Sequence, residues 1–156
     1  MAAVEARLAE LGLVLPEVAP PVAAYVPAVV SGSYVYTSGQ LPFTAGALPA
    51  TGKVGDGHGL VPADDAKEYA RTCALNALAA VRAELGSLDR ITRVVKLVGF
   101  VASDPSFTGQ PGVIDGASEV LVEIFGDAGK HARSAVGVPV LPLDSPVEVE
   151  LVVEFA

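Results

Sequence analysis

Residues Ala132–Phe155 read Ala-Arg-Ser-Ala-Val-Gly-Val-Pro-Val-Leu-Pro-Leu-Asp-Ser-Pro-Val-Glu-Val-Glu-Leu-Val-Val-Glu-Phe. β-Branched residues fill both ends of this stretch, and prolines interrupt its middle, from Leu141 to Pro146. The alternation of valine and glutamate from Val147 onward is the period of a strand with one buried face. The stretch therefore predicts two strands, Ala132–Val140 and Val147–Phe155, joined as a hairpin that ends the domain.

Apolar periodicity upstream of this stretch predicts two long helices, three further strands and a short N-terminal helix. These are the helix Val4–Leu11, the strands Tyr25–Val30 and Tyr34–Leu41, a helix from a capping box at Asp65 and Glu68 to Gly86, the strand Ile91–Val101 and the helix Val113–Phe125. A glycine-rich loop, Phe43–Gly59, follows the first two strands, which read as a hairpin. The order ββαβαββ predicts an α+β fold, a mixed sheet with two helices on one face. The other face of such a sheet needs a partner.

Length and hydropathy indicate one domain that forms an oligomer. With 156 residues, 51% of them hydrophobic, we expect a single domain over residues 1–156, with a helix and proline-rich connector in 1–22 and a core in 23–156. The mean hydropathy of +0.50 exceeds the needs of one core, which predicts a homo-oligomer. Apolar runs fall short of the roughly 20 residues that span a bilayer, so we expect no membrane partner and a cytoplasmic location.

Charge and residue counts argue against several other classes of function. The chain has 18 acidic and 10 basic residues, a formal charge of −8, which disfavours a nucleic-acid partner. His58 and His131 are too few and too far apart in sequence for a metal cluster or a Ser-His-Asp arrangement, and we assign neither a catalytic role. The single cysteine, Cys73, lies on an alanine-rich helical stripe and is predicted to be core. We expect no cofactor and no metal.

Two segments resemble the signatures of a known family. Tyr34-Val-Tyr-Thr-Ser-Gly-Gln-Leu-Pro42 and Ala132-Arg-Ser-Ala-Val-Gly-Val-Pro-Val-Leu-Pro142 look like those of the reactive intermediate deaminases, also called Rid, YjgF-like or endoribonuclease L-PSP proteins. The resemblance covers about Tyr25 to Glu154 and implies a chorismate-mutase-like homotrimer with sites between subunits. The ligand it implies is a small carboxylate-bearing metabolite. The N-terminal helix and glycine-rich residues 52–59 resemble a less characterised branch.

By this resemblance, Arg133 would hold the substrate carboxylate and Glu148 would position or activate water. A guanidinium suits the first task because its planar donor fork matches two carboxylate oxygens and stays charged. The residues themselves leave other readings open: Arg133 could form a solvated or interface salt bridge, and Glu148 with Glu150 could simply face solvent.

The same resemblance implies four further pocket residues. Tyr25 would close the pocket with its ring and hydroxyl, and Ser38 and Gly39 would contact ligand through their backbone. Asp115 stands in the stretch where the deaminase branch has an asparagine, which puts the substrate specificity in question. Without the resemblance, Tyr25 reads as an ordinary strand aromatic and Gly39 as a turn residue.

Three functions follow, in order of preference. The first is cofactor-independent hydrolysis of reactive 2-imino or enamine acids to 2-keto acids and ammonia, with positioning as the main catalytic effect. The second is a trimeric module that binds a small metabolite without turnover. The third is the endoribonuclease activity of the older family label, which the acidic chain and scattered basic residues disfavour.

Overall fold

A computed structural model describes residues 3–18 and 23–156, and in that part of the chain three α-helices accompany one five-stranded sheet. The helices are α1 (Ala3–Glu10), α2 (Ala63–Leu85) and α3 (Gln110–Phe125); the strands are β1 (Ala28–Ser31), β2 (Tyr34–Thr37), β3 (Ile91–Ala102), β4 (Ala132–Val138) and β5 (Val147–Phe155). This order confirms the predicted α+β fold and the sequence ββαβαββ behind a short N-terminal helix. Residues 19–22 of the predicted proline-rich connector lie outside the described residues.

The sheet has the strand order β1-β2-β5-β3-β4. β1 and β2 form the predicted hairpin, whose turn holds Gly32 at a φ of 60° that favours glycine. The predicted hairpin of β4 and β5 is wrong: β5 lies between β2 and β3, antiparallel to both, and β4 pairs in parallel with the far side of β3. Alternation in a sequence identifies a strand but not its neighbour, and a helical crossover such as α3 places the next strand parallel to the previous one.

The helix α2 begins earlier than predicted. It starts at Ala63 with Pro62 as N-cap and without a side-chain cap, so the expected capping box of Asp65 and Glu68 is wrong. Asp65 is already inside the first turn, where its charge still favours the positive end of the helix dipole. The helix ends as predicted at Gly86, which adopts a left-handed conformation.

Helices α2 and α3 lie side by side on one face of the sheet. Small residues permit the close approach: a Cβ at Gly116 of α3 would overlap the Lys67 carbonyl of α2. The alanine stripe of α2 is fully buried, and Cys73 lies within it as predicted. Burial raises the pKa of the Cys73 thiol, with a further contribution from the negative charge of Glu148.

The opposite face of the sheet stays exposed in a single chain. Val29, Tyr36 and Val136 lie on it at strand positions that alternate with the core, and they share it with the charged residues Lys96 and Glu150. Exposed apolar patches of this kind often mark an interaction site. In the described part of the chain, no helix combines the length and apolar character needed to cross a membrane.

Candidate functional site

A cavity of about 780 Å³ lies beyond the ends of the β1–β2 hairpin. Its walls come from the N-terminal segment 16–18, the chain that enters β1 and leaves β2, the turn 142–144 and one side of α2. Four residues implied by the resemblance line it together: Tyr25, Ser38, Gly39 and Glu148. The strands β1 and β2 are shorter than predicted, so Tyr25, Ser38 and Gly39 lie outside them, where the backbone is not fully used by the sheet.

Glu148 projects from β5 into this cavity and is half-buried. Its carboxyl group packs so closely on Gly39 that a Cβ at position 39 would overlap the Oε1 atom. Partial burial raises the pKa of Glu148, and the negative charge of Glu150 raises it further. A carboxyl group that keeps its proton to higher pH than usual suits general acid–base work near neutral pH.

Hydrogen bonds hold the walls of the pocket in place. The Ser38 hydroxyl donates to the Val26 carbonyl at 2.6 Å, which ties the exit of β2 to the entrance of β1. Asn76 of α2 donates from Nδ2 to the carbonyls of Leu41 and Phe43, at 2.9 and 3.2 Å. Asn76 was not predicted from the sequence, although an asparagine on the alanine-rich α2 is a polar residue that needs a hydrogen-bond partner where the helix packs.

The pocket is acidic. Two carboxylates, Glu17 and Glu148, line it, and among the described residues no lysine or arginine does. Coulomb repulsion would oppose the entry of a carboxylate into such a pocket. The part of the chain that the structure describes therefore brings Glu148 of the predicted site into the pocket without a lysine or arginine beside it.

Arg133 lies at the other edge of the sheet, on β4. Its Nη1 donates to Asp115 Oδ1 at 2.8 Å and to Ser118 Oγ at 3.2 Å, both on α3. In register along β3, Arg133 stands opposite Leu97 and Glu148 opposite Phe100, on the two different neighbours of that strand. The structure thus brings Arg133 together with Asp115 but keeps both apart from the pocket of the same chain.

A histidine that the sequence analysis left without a catalytic role orders this cluster. His131 Nδ1 lies 2.6 Å from the Gly129 carbonyl, which can only accept, so Nδ1 carries a hydrogen. In the neutral ring Nε2 then accepts from the Ser118 hydroxyl at 3.0 Å, and Ser118 Oγ accepts from Arg133. The chain of bonds fixes the guanidinium against α3. Among residues 3–18 and 23–156, no cluster of three or more histidine, cysteine, aspartate or glutamate residues could hold a metal.

Comparison with known proteins identifies the family. The family model described as "YjgF/chorismate_mutase-like, putative endoribonuclease" matches residues 5–155. Protein TCP17 of Trypanosoma cruzi is 44% identical over 153 residues, which cover 97% of this chain and 94% of that protein.

Two solved structures are similar to the chain over most of its length. The crystal structure of Atu1372 from Agrobacterium tumefaciens, a protein of unknown function, is 45% identical with a TM-score of 0.89, and covers 99% of this chain and 94% of its own. The structure of E. coli TdcF with bound serine is 25% identical with a TM-score of 0.64, covering 88% and 92%. The chain therefore belongs to the YjgF/chorismate-mutase-like family.

Proposed function

We propose that this protein hydrolyses reactive 2-imino acids to 2-keto acids and ammonia at pockets between the subunits of a homotrimer. Each pocket would combine Glu148 of one subunit with Arg133 of the next. The observation that carries the proposal is the separation of charges within one chain: among the described residues, carboxylates line the pocket but no lysine or arginine does, and Arg133 lies outside it with unused hydrogen-bond donors.

The separate positions of the pocket and of Arg133 support a head-to-tail assembly. The pocket lies beyond the ends of the β1–β2 hairpin, and Arg133 lies on the edge strand β4. A ring forms when unlike patches join and the rotation closes, and such contacts would bring β4 of one subunit towards the pocket of another. Exposed apolar side chains of the sheet, such as Tyr36 and Val136, would contribute buried area to these contacts.

The hydrogen bonds of Arg133 leave the correct edge of its guanidinium for a ligand. Nη1 serves Asp115 and Ser118, while within residues 3–18 and 23–156 the Nε and Nη2 atoms form no hydrogen bond. Nε and Nη2 together make the side-on fork that binds both oxygens of a carboxylate. Arg133 would hold the carboxylate of the substrate in this way and place the neighbouring imine carbon above Glu148.

Glu148 would then move two protons in turn. It takes a proton from the water that attacks the imine carbon and passes it to the nitrogen, which gives a neutral tetrahedral amino alcohol. It then takes the hydroxyl proton of this intermediate and delivers it to the amino group, so that the C–N bond breaks, the C=O bond forms and ammonia leaves the 2-keto acid. The imine is already electrophilic, so positioning supplies much of the rate, and the raised pKa of Glu148 lets it both take and return the proton.

An imine-decay assay tests the reaction. An amino-acid oxidase generates the 2-imino acid in the cuvette, and its disappearance is followed with wild type, Arg133→Ala and the control Lys130→Ala. Lys130 is an exposed lysine paired with Asp127, and neither residue lines the pocket. We expect Arg133→Ala to lose at least about 100-fold in kcat/KM, since a partly buried charged partner of the ligand is removed, and Lys130→Ala to match wild type. Equal decay with and without protein would refute the deaminase.

A binding module without turnover is the second candidate. The structure of TdcF with bound serine shows that a relative holds a small amino acid, and the Asp115 carboxylate partly neutralises Arg133 in this chain. Isothermal titration with small amino and keto acids separates the candidates, because a pure binder saturates while imine decay stays at the background rate. The endoribonuclease activity is disfavoured by the net charge of −8 and the acidic pocket.

A further inference from the structure

We infer that the pocket selects ligands with a bulky apolar side chain next to the carboxylate, and that the turn 142–144 and the N-terminal segment 16–18 set this preference. The inference deepens the proposed function, because it takes the ligand to be the carboxylate-bearing acid of that reaction. It rests on the shape and polarity of the cavity walls.

The cavity wall has polar and apolar parts. Ser38, Gly39 and Glu148 lie next to Gln40, which joins the sheet through backbone hydrogen bonds of 2.8 and 3.0 Å to Val149. The wall also includes large apolar side chains that are open to solvent: Val18, Phe43 and Leu143, with exposed fractions of 36%, 39% and 68%. A ligand that contacts both parts of the wall carries a polar or charged group together with hydrocarbon.

Part of the cavity wall has an unusual backbone conformation. In the described part of the chain, three residues other than glycine have a positive φ: Ala45, Leu143 and Asp144. Ala45 and Leu143 line the cavity, and Asp144 follows directly. Leucine seldom adopts this conformation, and strained residues gather at ligand sites where surrounding bonds hold them. Here the Asp144 carbonyl accepts from the Gly52 amide at 2.8 Å, which fixes the turn with Leu143 at the pocket mouth.

The N-terminal segment is also anchored as a wall. Leu15 is buried in the core, directly before Pro16 and Val18, which line the cavity. Helix α1 in front of it is tied down by a 2.7 Å hydrogen bond from the Val4 amide to Asp89 and a 3.0 Å bond from Arg7 to the Glu123 carbonyl. A wall fixed in this way can discriminate between side chains without first having to be ordered.

The cavity is large for a two- or three-carbon acid. Its volume of about 780 Å³ falls within the range typical of small-molecule sites. An alanine-derived acid would be too short to cover the Leu143 side chain, which would stay exposed to water. A leucine- or phenylalanine-derived acid would remove that apolar surface from water, which favours binding in proportion to the area buried.

Titration with two 2-keto acids tests the inference. The acids derived from leucine and from alanine share the carboxylate and differ only in side chain. For wild type we expect the leucine-derived acid to bind at least about tenfold more tightly, as three additional buried carbons predict. In Leu143→Asn this ratio should shrink to about threefold or less, while the affinity for the alanine-derived acid stays the same. Asparagine suits the test because it tolerates the left-handed backbone at position 143.

Two further variants complete the design. Val18→Asn should narrow the ratio in the same direction, whereas Val14→Asn, at an exposed valine outside the cavity, should keep the wild-type ratio. Equal wild-type affinities, or a ratio that Leu143→Asn and Val18→Asn leave intact, would overturn the inference. A preserved ratio in binding without any imine decay would overturn the proposed reaction alone, and failure of both acids to bind would overturn both.

Discussion

The pocket beyond the β1–β2 hairpin and the β4 edge of the sheet carry different halves of the proposed site. In the pocket, Glu148 of the central strand β5 is half-buried, and partial burial and the charge of Glu150 raise its pKa. At the β4 edge, hydrogen bonds to Asp115 and Ser118 hold Arg133 against α3. Among the described residues, carboxylates line the pocket but no lysine or arginine does, and Arg133 lies outside it.

This difference is the reason for the proposed assembly. Under the proposed function, a carboxylate ligand needs the cation of Arg133 as well as the space beside Glu148, and one chain keeps the two apart. A ring that joins unlike surfaces would bring them together. Three variants test the two regions, from the largest expected effect to the smallest.

The position of Glu148 in the pocket depends on the absence of a side chain at Gly39. A methyl group at Gly39→Ala would overlap the Glu148 carboxyl group, which can move aside because its far end is flexible. We expect the rate of imine decay to fall about tenfold, because the displaced Glu148 carboxyl group would no longer position the attacking water. The Tm should change little, since a misplaced catalytic group lowers the rate more than the stability. Steady-state kinetics and thermal unfolding measure the two effects.

Gly112→Ala is the matched control, because a Cβ there meets nothing within 4 Å on α3. If Gly39→Ala and Gly112→Ala had the same activity, Glu148 would not need its present position.

The arginine side depends on Asp115. Asp115→Asn keeps the oxygen that accepts from Nη1 at 2.8 Å but removes the negative charge that competes with a ligand. We expect the dissociation constant for a 2-keto acid to fall about threefold, the scale of one partly exposed charge pair. Titration calorimetry measures it, with Asp127→Asn, whose partner Lys130 is exposed, as control. Weaker binding in Asp115→Asn would mean that the aspartate positions Arg133 rather than competing for it.

The raised pKa of Glu148 predicts a small effect of pH on stability. A carboxyl whose pKa is higher in the folded than in the unfolded chain favours folding while it is protonated, and this contribution disappears as pH rises through the folded value. Thermal unfolding at pH 7 should therefore give Glu148→Gln a higher free energy of unfolding than wild type. The gain should be at most about 1 kcal/mol, because the group is half-exposed.

The difference between Glu148→Gln and wild type should shrink at pH values below the ordinary glutamate range. Glu68→Gln, at an exposed position of α2, serves as the control. A Glu148→Gln advantage that grows as pH falls would contradict the direction of the shift.

The fold could be predicted where its information is local. Apolar periods placed α2, α3 and β5 correctly, because burial on one face imposes those periods whatever lies opposite. The partner of β4 could not be found in this way: its choice of β3 over β5 depends on the route of α3 across the sheet. The start of α2 at Ala63 was missed because no side-chain cap marks it.

The site divides in the same manner. Tyr25, Ser38, Gly39 and Glu148, implied by resemblance, do meet in one pocket, although they come from distant parts of the chain. Asn76 binds a loop carbonyl and His131 binds Ser118. Both contacts depend on the tertiary fold, so the sequence pattern did not identify these partners. The joining of Arg133 with Glu148 remains a prediction, since it needs a second subunit.

Mixing two inactive variants tests that joining most directly. Arg133→Ala and Glu148→Gln chains are refolded together in equal amounts, and imine decay is compared with that of each variant alone. If every site takes its arginine from one subunit and its glutamate from the next, random mixing should restore about a quarter of the wild-type sites. Mixed trimers, verified by mass spectrometry, that stay as inactive as their parents would contradict a pocket shared between subunits.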